Sequence, residues 1–393
     1  MSQLLNERWS ETKEALLEGL QGNRRASMGV CLENTRRHLA ESATAGATSS
    51  GNIATLNRVI LPVIRRVMPT VIANEIIGVQ PMTGPVGQIH TLRVRYADGV
   101  ASGDLVTAGE EALSPFKIAA AYSGNNSSTP GADRTATLEG TPGKRMSIQI
   151  LKTPVEAKSR KLSARWTFEA AQDAQAQQGI DIEAEIMAAL AQEITAEIDQ
   201  EILASLRSLA TLEETYDQSL VSGTATFVGD EHAALAIQIN RVSNLIAQRT
   251  RRGSGNWAVV SNQALTILQS ATTSAFARTT EGTFEAPTNT KFVGTLNGAM
   301  RVYVDAYLSD TVDANQVLVG YKGSSEADAA AFYCPYIPLM SSGVVLDPAT
   351  FEPVVGFLTR YGYVELNNTA SSLGNAADYL GRVAITSANV SFK

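Results

Sequence analysis

Apolar residues recur four apart at Ile182, Ile186, Leu190, Ile194, Ile198, Ile202 and Leu206. This spacing predicts a helix that starts after an Asp181 cap and runs to about Leu209. Each step of four overshoots one turn by about 40°, so six steps rotate the stripe by roughly 240°. One flat partner cannot cover such a stripe, and the helix is expected to meet different elements along its length. Glu183, Glu185, Glu193, Glu197, Asp199 and Glu201 fill the remaining face. Carboxylates this dense invite a metal reading, but no histidine lies near, and a solvated acidic face is the expectation.

The rest of the chain alternates between helical and strand periods. Residues 3–40 read as helical, with Leu4, Trp9, Leu16, Leu17 and Leu20 at helical spacing, a break at Gly22-Asn23, and a second piece over about 26–40. The small polar residues 41–52 read as a flexible linker. Another helix is expected over about 57–77, kinked or broken by Pro69. The loop GVQPMTGPVGQ (78–88) follows, stiffened by Pro81 and Pro85, and then a strand in which Ile89, Thr91 and Arg93 alternate with His90, Leu92 and Val94. Between Arg95 and Lys152 the chain is rich in turns, flanked by strand-like RVRYAD and RMSIQIL. A long stretch with little core of its own is unusual inside a compact domain, and an extended two-stranded loop accounts for it. Residues 153–179 predict a strand-like lead and a helix stopped by Gly179. Helices are expected over 233–249 and 262–270, and strands over 256–261, 300–308, 316–323, 329–340, 352–366 and 379–392. This order marks an α+β chain of antiparallel character.

Composition narrows the class. A chain of 393 residues exceeds one typical core, so two or more lobes are expected. Hydrophobic content of 44% with 18% charge suits a packed protein. A net charge of −7 argues against general nucleic-acid binding, which needs a basic face. Cys31 and Cys334 lie far apart in sequence and suggest no disulfide framework. No apolar run is long enough to span a membrane, and the charged N-terminus does not read as a signal peptide, so synthesis and assembly in a cytoplasm are expected.

Chemistry is sparse. His38, His90 and His232 share no spacing that would support a metal site or a triad. Gly140–Lys144 is one residue short of a phosphate loop, and Arg145 stands where Ser or Thr would bind magnesium. Gly253 and Gly255 follow a helix and precede a strand, the wrong order for dinucleotide binding. Cys334 reads as a small buried hydrophobe. No catalytic, cofactor-binding or metal-ligating residue is expected. The basic residues Arg58, Arg65, Arg66, Lys144, Arg145, Arg251 and Arg252 are the candidate inter-subunit contacts, with solvated faces and a helix C-terminus as the plain readings. Tyr321, Tyr333, Tyr336, Arg360, Tyr361 and Tyr363 are types enriched at contact hot spots, and core packing accounts for about half of them.

Several blocks carry a resemblance. GVQPM (78–82) with PVGQ (85–88), VEAKSRKLSARWTFEAAQDAQAQQGIDIEAEI (155–186), GSGNWAVVSNQAL (253–265), LNGAMRVYVDAY (296–307), VGYKGSSEADAAAFYCPYIPL (319–339) and DPATFEPVVGFLTRYG (347–362) occur in one order. Together they resemble the major capsid proteins of T4-like tailed bacteriophages. The resemblance implies the HK97-type shell fold: an N-terminal arm, an extended E-loop, a peripheral P-domain with a long spine helix, and an axial A-domain. On that basis the arm and linker are expected over 1–55, the first part of the P-domain over 56–95 and the E-loop over 96–152. The P-domain resumes over 153–230, the A-domain spans 231–350, and strands over 351–393 return to the P-domain. The stretch 96–152 leaves little room for the extra domain that family members insert near this loop. Members often trim the arm with a prohead protease that cuts after Glu, and Leu39-Ala40-Glu41 fits that context.

The resemblance further implies a structural protein that assembles with itself into hexamers, and in some shells pentamers, of a phage head. Its partners would be scaffold, portal, vertex and decoration proteins, and packaged double-stranded DNA bound without sequence specificity. Rival readings are a vertex paralogue or an encapsulin-like compartment shell and, from another class, a soluble enzyme with a site formed only in three dimensions.

Overall fold

The computed structural model describes residues 9–10, 13–44, 71–99, 108–109, 112, 122–123, 132, 134–140, 143–179, 181–218, 228–250, 252–271, 276–278, 291–308, 315–324, 328–347, 349–350, 352–366 and 376–386. They belong to two compact units. The first draws on Met1–Gly87, Val155–Ser205 and Phe332–Val364, and the second on Gln88–Pro154, Leu206–Ala331 and Glu365–Lys393.

The first unit holds a four-stranded sheet in the order Gly78–Val79, Ala331–Leu346, Pro353–Glu365, Lys158–Arg165. The outer pair Gly78–Val79 and Ala331–Leu346 is parallel, while Lys158–Arg165 runs antiparallel to Pro353–Glu365. Period-two burial is plain along Pro353–Glu365, where Pro353, Val355, Phe357, Thr359 and Tyr361 are buried and the residues between them are half-buried. A pleated strand turns alternate side chains to opposite faces, so one face of this strand is committed to the core. The helix Ile182–Leu209 contributes its first 24 residues, through Ser205, to this unit. Asp181 caps it by accepting the Glu183 N–H at 3.1 Å. Its predicted stripe is buried from Leu190 onward, through Ile194, Ile198 and Ile202, whereas Ile182 and Ile186 stay half-exposed.

The shorter helix Phe168–Gln178 sits between a Thr167 cap, whose hydroxyl accepts the Ala170 N–H at 3.3 Å, and Gly179 with φ of +67°. Only glycine adopts that left-handed turn at little cost, which is why the helix stops there. Near the N-terminus the helix Gly22–Thr44 is tied down by Asn34, whose amide donates to Met82 O at 2.6 Å and Tyr336 O at 3.1 Å. The expected break falls at Gly22 itself, which has φ of +61°, and the helix extends through 41–44, residues expected to be linker. Most of the helix expected over 57–77 lies outside the described residues; its end is a single turn, Ala73–Ile76.

The second unit holds a seven-stranded mixed sheet in the order Thr211–Tyr216, Leu380–Ile385, Gln316–Gly320, Trp257–Val260, Met300–Val304, Lys291–Leu296, Phe276–Arg278. Two neighbouring pairs are parallel, Thr211–Tyr216 with Leu380–Ile385 and Trp257–Val260 with Met300–Val304. The helices Val228–Thr250 and Asn262–Ser270 share its core: Leu235, Ile239, Val242 and Ile246 cluster with Val260, Val302, Val304, Val317, Val319 and Val383. Gly320 faces Trp257 across the ladder, and a Cβ there would overlap the indole. The chain is therefore α+β, as expected.

The units divide the chain differently from the expected boundaries. Ala331–Leu346 falls almost wholly in the first unit rather than in an A-domain over 231–350. Leu380–Ile385 joins the seven-stranded sheet instead of returning with Pro353–Glu365 to the first unit. Alternation of apolar residues fixes which face of a strand is buried, not which sheet receives it, so the sequence pattern left this choice open.

Candidate functional site

The long connection expected to be an extended loop begins and ends in a two-stranded ribbon, Val86–Tyr96 with Met146–Glu156. Its distal end is locked by polar contacts. The Ala97 N–H donates to Arg145 O at 2.9 Å, the Arg145 N–H to Asp98 Oδ2 at 2.9 Å, and Lys144 Nζ to Gly99 O at 2.8 Å. Tyr122 joins both sides: its hydroxyl donates to Arg145 O at 2.5 Å and accepts the Asp98 N–H at 3.3 Å. The Arg145 backbone N–H, with help from its guanidinium, holds the Asp98 carboxyl below the usual carboxylate range.

Contrary to expectation, the connection carries a small core of its own. Tyr96 and Tyr122 pack at 4.4 Å between ring centroids, with Ala112 and Val94 against them. The Gly109 N–H reaches Tyr96 O at 2.8 Å and the Ala112 N–H reaches Val94 O at 2.8 Å, which pins two turns to the ribbon. Turn-rich sequence hid this cluster, because its members stand far apart and share no period. The cluster leaves both faces of the strand Met146–Glu156 exposed over residues 146–150. Met146, Ile148 and Ile150 are 53%, 68% and 60% exposed. Alternation along a strand puts all three on the same side, forming an apolar row open to solvent.

The other candidate contacts scatter. Arg58, Arg65, Arg66 and Arg251 lie outside the described residues, as do the side chains of Leu39, Ala40 and Glu41, whose backbone is in the helix Gly22–Thr44. Lys144 and Arg145 serve the ribbon end just described, although the Arg145 side chain remains 79% exposed. Arg252 pairs with Asp328 at 2.5 Å, where Tyr321 and Tyr379 also donate to the carboxylate at 3.4 Å and their rings stack at 6.3 Å. Tyr333 and Tyr361 are core residues with rings 5.5 Å apart, and Arg360 lies over the Tyr336 ring at 5.3 Å.

Two features of the acidic helix face escaped sequence reasoning. Asp199 is not solvated: it is 1% exposed and accepts the Ile72 N–H at 2.9 Å. Glu197 and Glu201 both bind Arg160 of the strand Lys158–Arg165, at 2.7 and 2.5 Å. Arg160 also donates to Tyr361 Oη at 2.6 Å, and Tyr361 in turn donates to Glu201. Partial burial alone would raise the Glu201 pKa, but the bonds from Arg160 and Tyr361 outweigh it and hold the carboxyl below its ordinary value. Helical spacing places these carboxylates on one face; only strand pairing brings Arg160 to them.

Among the described residues, no cluster of His, Cys, Asp and Glu is arranged to hold a metal. His90 is exposed on the ribbon, and buried His232 meets Ser270 Oγ at 2.5 Å. A groove of about 630 Å³ along the helix Gly22–Thr44, between Lys13, Leu17, Arg25 and Arg37, holds one carboxylate, Glu33, and neither histidine nor cysteine.

Residues 53–385 match the family described as Major capsid protein Gp23. The major capsid protein of Vibrio phage KVP40 is 29% identical over 86% of this chain and 82% of its own length. That of Enterobacteria phage T4 is also 29% identical, over 86% of this chain and 80% of its own. Among solved structures, the capsid of Myoviridae Phage XM1 aligns over 78% of this chain and 89% of that one, at 11% identity and a TM-score of 0.41.

Proposed function

The chain belongs to the Gp23 major capsid protein family, and from that premise we propose how its surfaces build the shell. As a major capsid protein of a tailed phage it assembles with itself into the capsid of the virion. The ribbon and its connection (96–152) act as an E-loop that lies over a neighbouring subunit. The observation that carries this reading is the open row of Met146, Ile148 and Ile150 on a ribbon whose described distal residues bond to one another. Full burial of one such side chain is worth about 1.5–3 kcal/mol, so covering three that are more than half exposed supplies several kcal/mol per copy. Closed hexameric rings, with pentamers where the shell needs them, satisfy this heterologous contact without open filaments.

The parts implied by the family fold follow from this reading. An HK97-type arrangement gives the first unit the role of a P-domain with Ile182–Leu209 as spine helix, and the seven-stranded sheet that of an A-domain. The helix Gly22–Thr44 belongs to an arm that reaches adjacent subunits, with Leu39-Ala40-Glu41 as the place where a prohead protease would cut. Arg58, Arg65, Arg66, Lys144, Arg145, Arg251 and Arg252 supply ion pairs between subunits. Scaffold, portal, vertex and decoration proteins are the further partners, DNA is enclosed without sequence-specific contact, and assembly takes place in the host cytoplasm. The chain works by burying shared surface and catalyses nothing.

The experiment is a paired substitution, Ile148→Asp with Ile150→Asp, followed by electron microscopy of the expressed protein. Soluble, folded subunits that fail to close shells are expected. Normal heads at normal yield would overturn the role given to the ribbon.

A further inference from the structure

We propose that the outer edge of strand Lys158–Arg165 receives a strand from a second copy of this chain, extending the four-stranded sheet across a subunit boundary. This rests on the shell reading above. In an antiparallel ladder, alternate residues exchange both backbone bonds with the partner strand, and the residues between turn theirs away. The Trp166 N–H donates to Pro353 O at 3.2 Å, and the register runs without a shift from Val354 opposite Arg165 to Tyr361 opposite Lys158. Residues 160, 162, 164 and 166 therefore bond inward, and Ser159, Lys161, Ser163 and Arg165 turn their N–H and C=O groups outward. Ala157 obeys the same parity, and its outward N–H is taken by Pro85 O at 2.9 Å. Beyond that closed end, no strand among the described residues pairs with this edge.

The side chains say what kind of strand fits. No acid stands among the eight residues of Lys158–Arg165, in a chain whose net charge is −7. Arg160 already pairs with Glu197 and Glu201 and Arg165 lies 3.8 Å from Glu352, so Lys158 and Lys161 are the cations that face a partner. Ser159 and Ser163 are exposed and small, so they leave the outward backbone accessible. Lysines on an edge commonly guard against pairing. Here that repulsion acts against the same edge of another copy, because it is a like-charge contact, and leaves the edge open to a strand flanked by carboxylates. The occupant is thus a different segment of a second subunit, which makes the contact heterologous and compatible with a closed ring. Backbone bonds supply adhesion, and the cations select the acidic partner.

Hydrogen exchange on the full chain, in assembled particles and in dilute unassembled subunits, tests this. The amides of Arg160, Leu162 and Ala164 should be protected in both. Those of Ser159, Lys161, Ser163 and Arg165 should exchange freely in subunits and at least about tenfold more slowly in particles. Particles in which the four outward amides stay as fast as in subunits would overturn the edge contact and leave the shell reading intact. Protection already present in dilute subunits would assign the edge to a segment of the same chain and also overturn it. If no particles form and rising subunit concentration brings no protection, both readings fall.

Discussion

The Arg207 guanidinium pairs with the carboxylate of Asp305, whose side chain is wholly buried while that of Arg207 is 11% exposed. Asp305 is held from three sides, since its other oxygen accepts the Tyr307 N–H at 3.0 Å and its own N–H donates to Val260 O at 3.0 Å. A buried pair adds little over a well-packed apolar replacement, yet losing one partner strands a charge in a poor solvent. Arg207→Ala should therefore destabilise the subunit by about 3–5 kcal/mol. Arg207→Met combined with Asp305→Leu should recover most of that loss. Urea unfolding of unassembled subunits measures both, and a single variant within about 0.5 kcal/mol of the parent would contradict the buried-charge account.

The Arg160, Glu201 and Tyr361 network makes a prediction in acid. The folded Glu201 pKa lies below its ordinary value, so its contribution is complete above the unfolded value and is lost as pH falls through the folded one. The window therefore lies below about pH 4.3, the ordinary glutamate value. Glu201 is 41% exposed, and solvent screening keeps its share to about 1 kcal/mol at most. Melting temperatures of the parent and of Glu201→Gln should differ at pH 7 and draw together as pH falls below about 4.3. Parallel curves over that range would show that the carboxylate is not the titrating partner.

Local signals made much of the fold legible, and pairing across the chain did not. The helix expected over 262–270 is the helix Asn262–Ser270, entered from Ser261, whose Oγ accepts the Ala264 N–H at 3.2 Å. Asp181 and Gly179 work in the same way, because a cap and a left-handed stop are properties of a few adjacent residues. Asp199 was misread as solvated, since its Ile72 partner is 127 positions away and carries no charge to advertise it. The cluster of Tyr96 with Tyr122 and the pairing of Arg160 with two helix carboxylates share that difficulty. The open row of Met146, Ile148 and Ile150 could have been read from its alternation, but period two does not say whether a face is covered by its own chain.

The two cysteines give the last prediction. Cys31 and Cys334 are 0% and 2% exposed, and burial pushes each thiol up to about 12 from 9.0. Cys31 Sγ also rests 3.8 Å from Pro335 O, a weak contact that favours the protonated form. Between those pH values the unfolded chain releases thiol protons that the folded subunit keeps, so stability falls as pH rises. Each thiol then costs up to about 1.4 kcal/mol per pH unit, while neither contributes a slope near pH 7. Replacing both with Ala or Ser should flatten the alkaline limb between about pH 9 and 12 in a urea-unfolding series. At pH 7.5 a thiol reagent should leave both sulfurs unlabelled in the folded subunit and label two per chain once urea is added. Labelling of either sulfur at the rate of a free thiol, without urea, would show that the burial argument fails there.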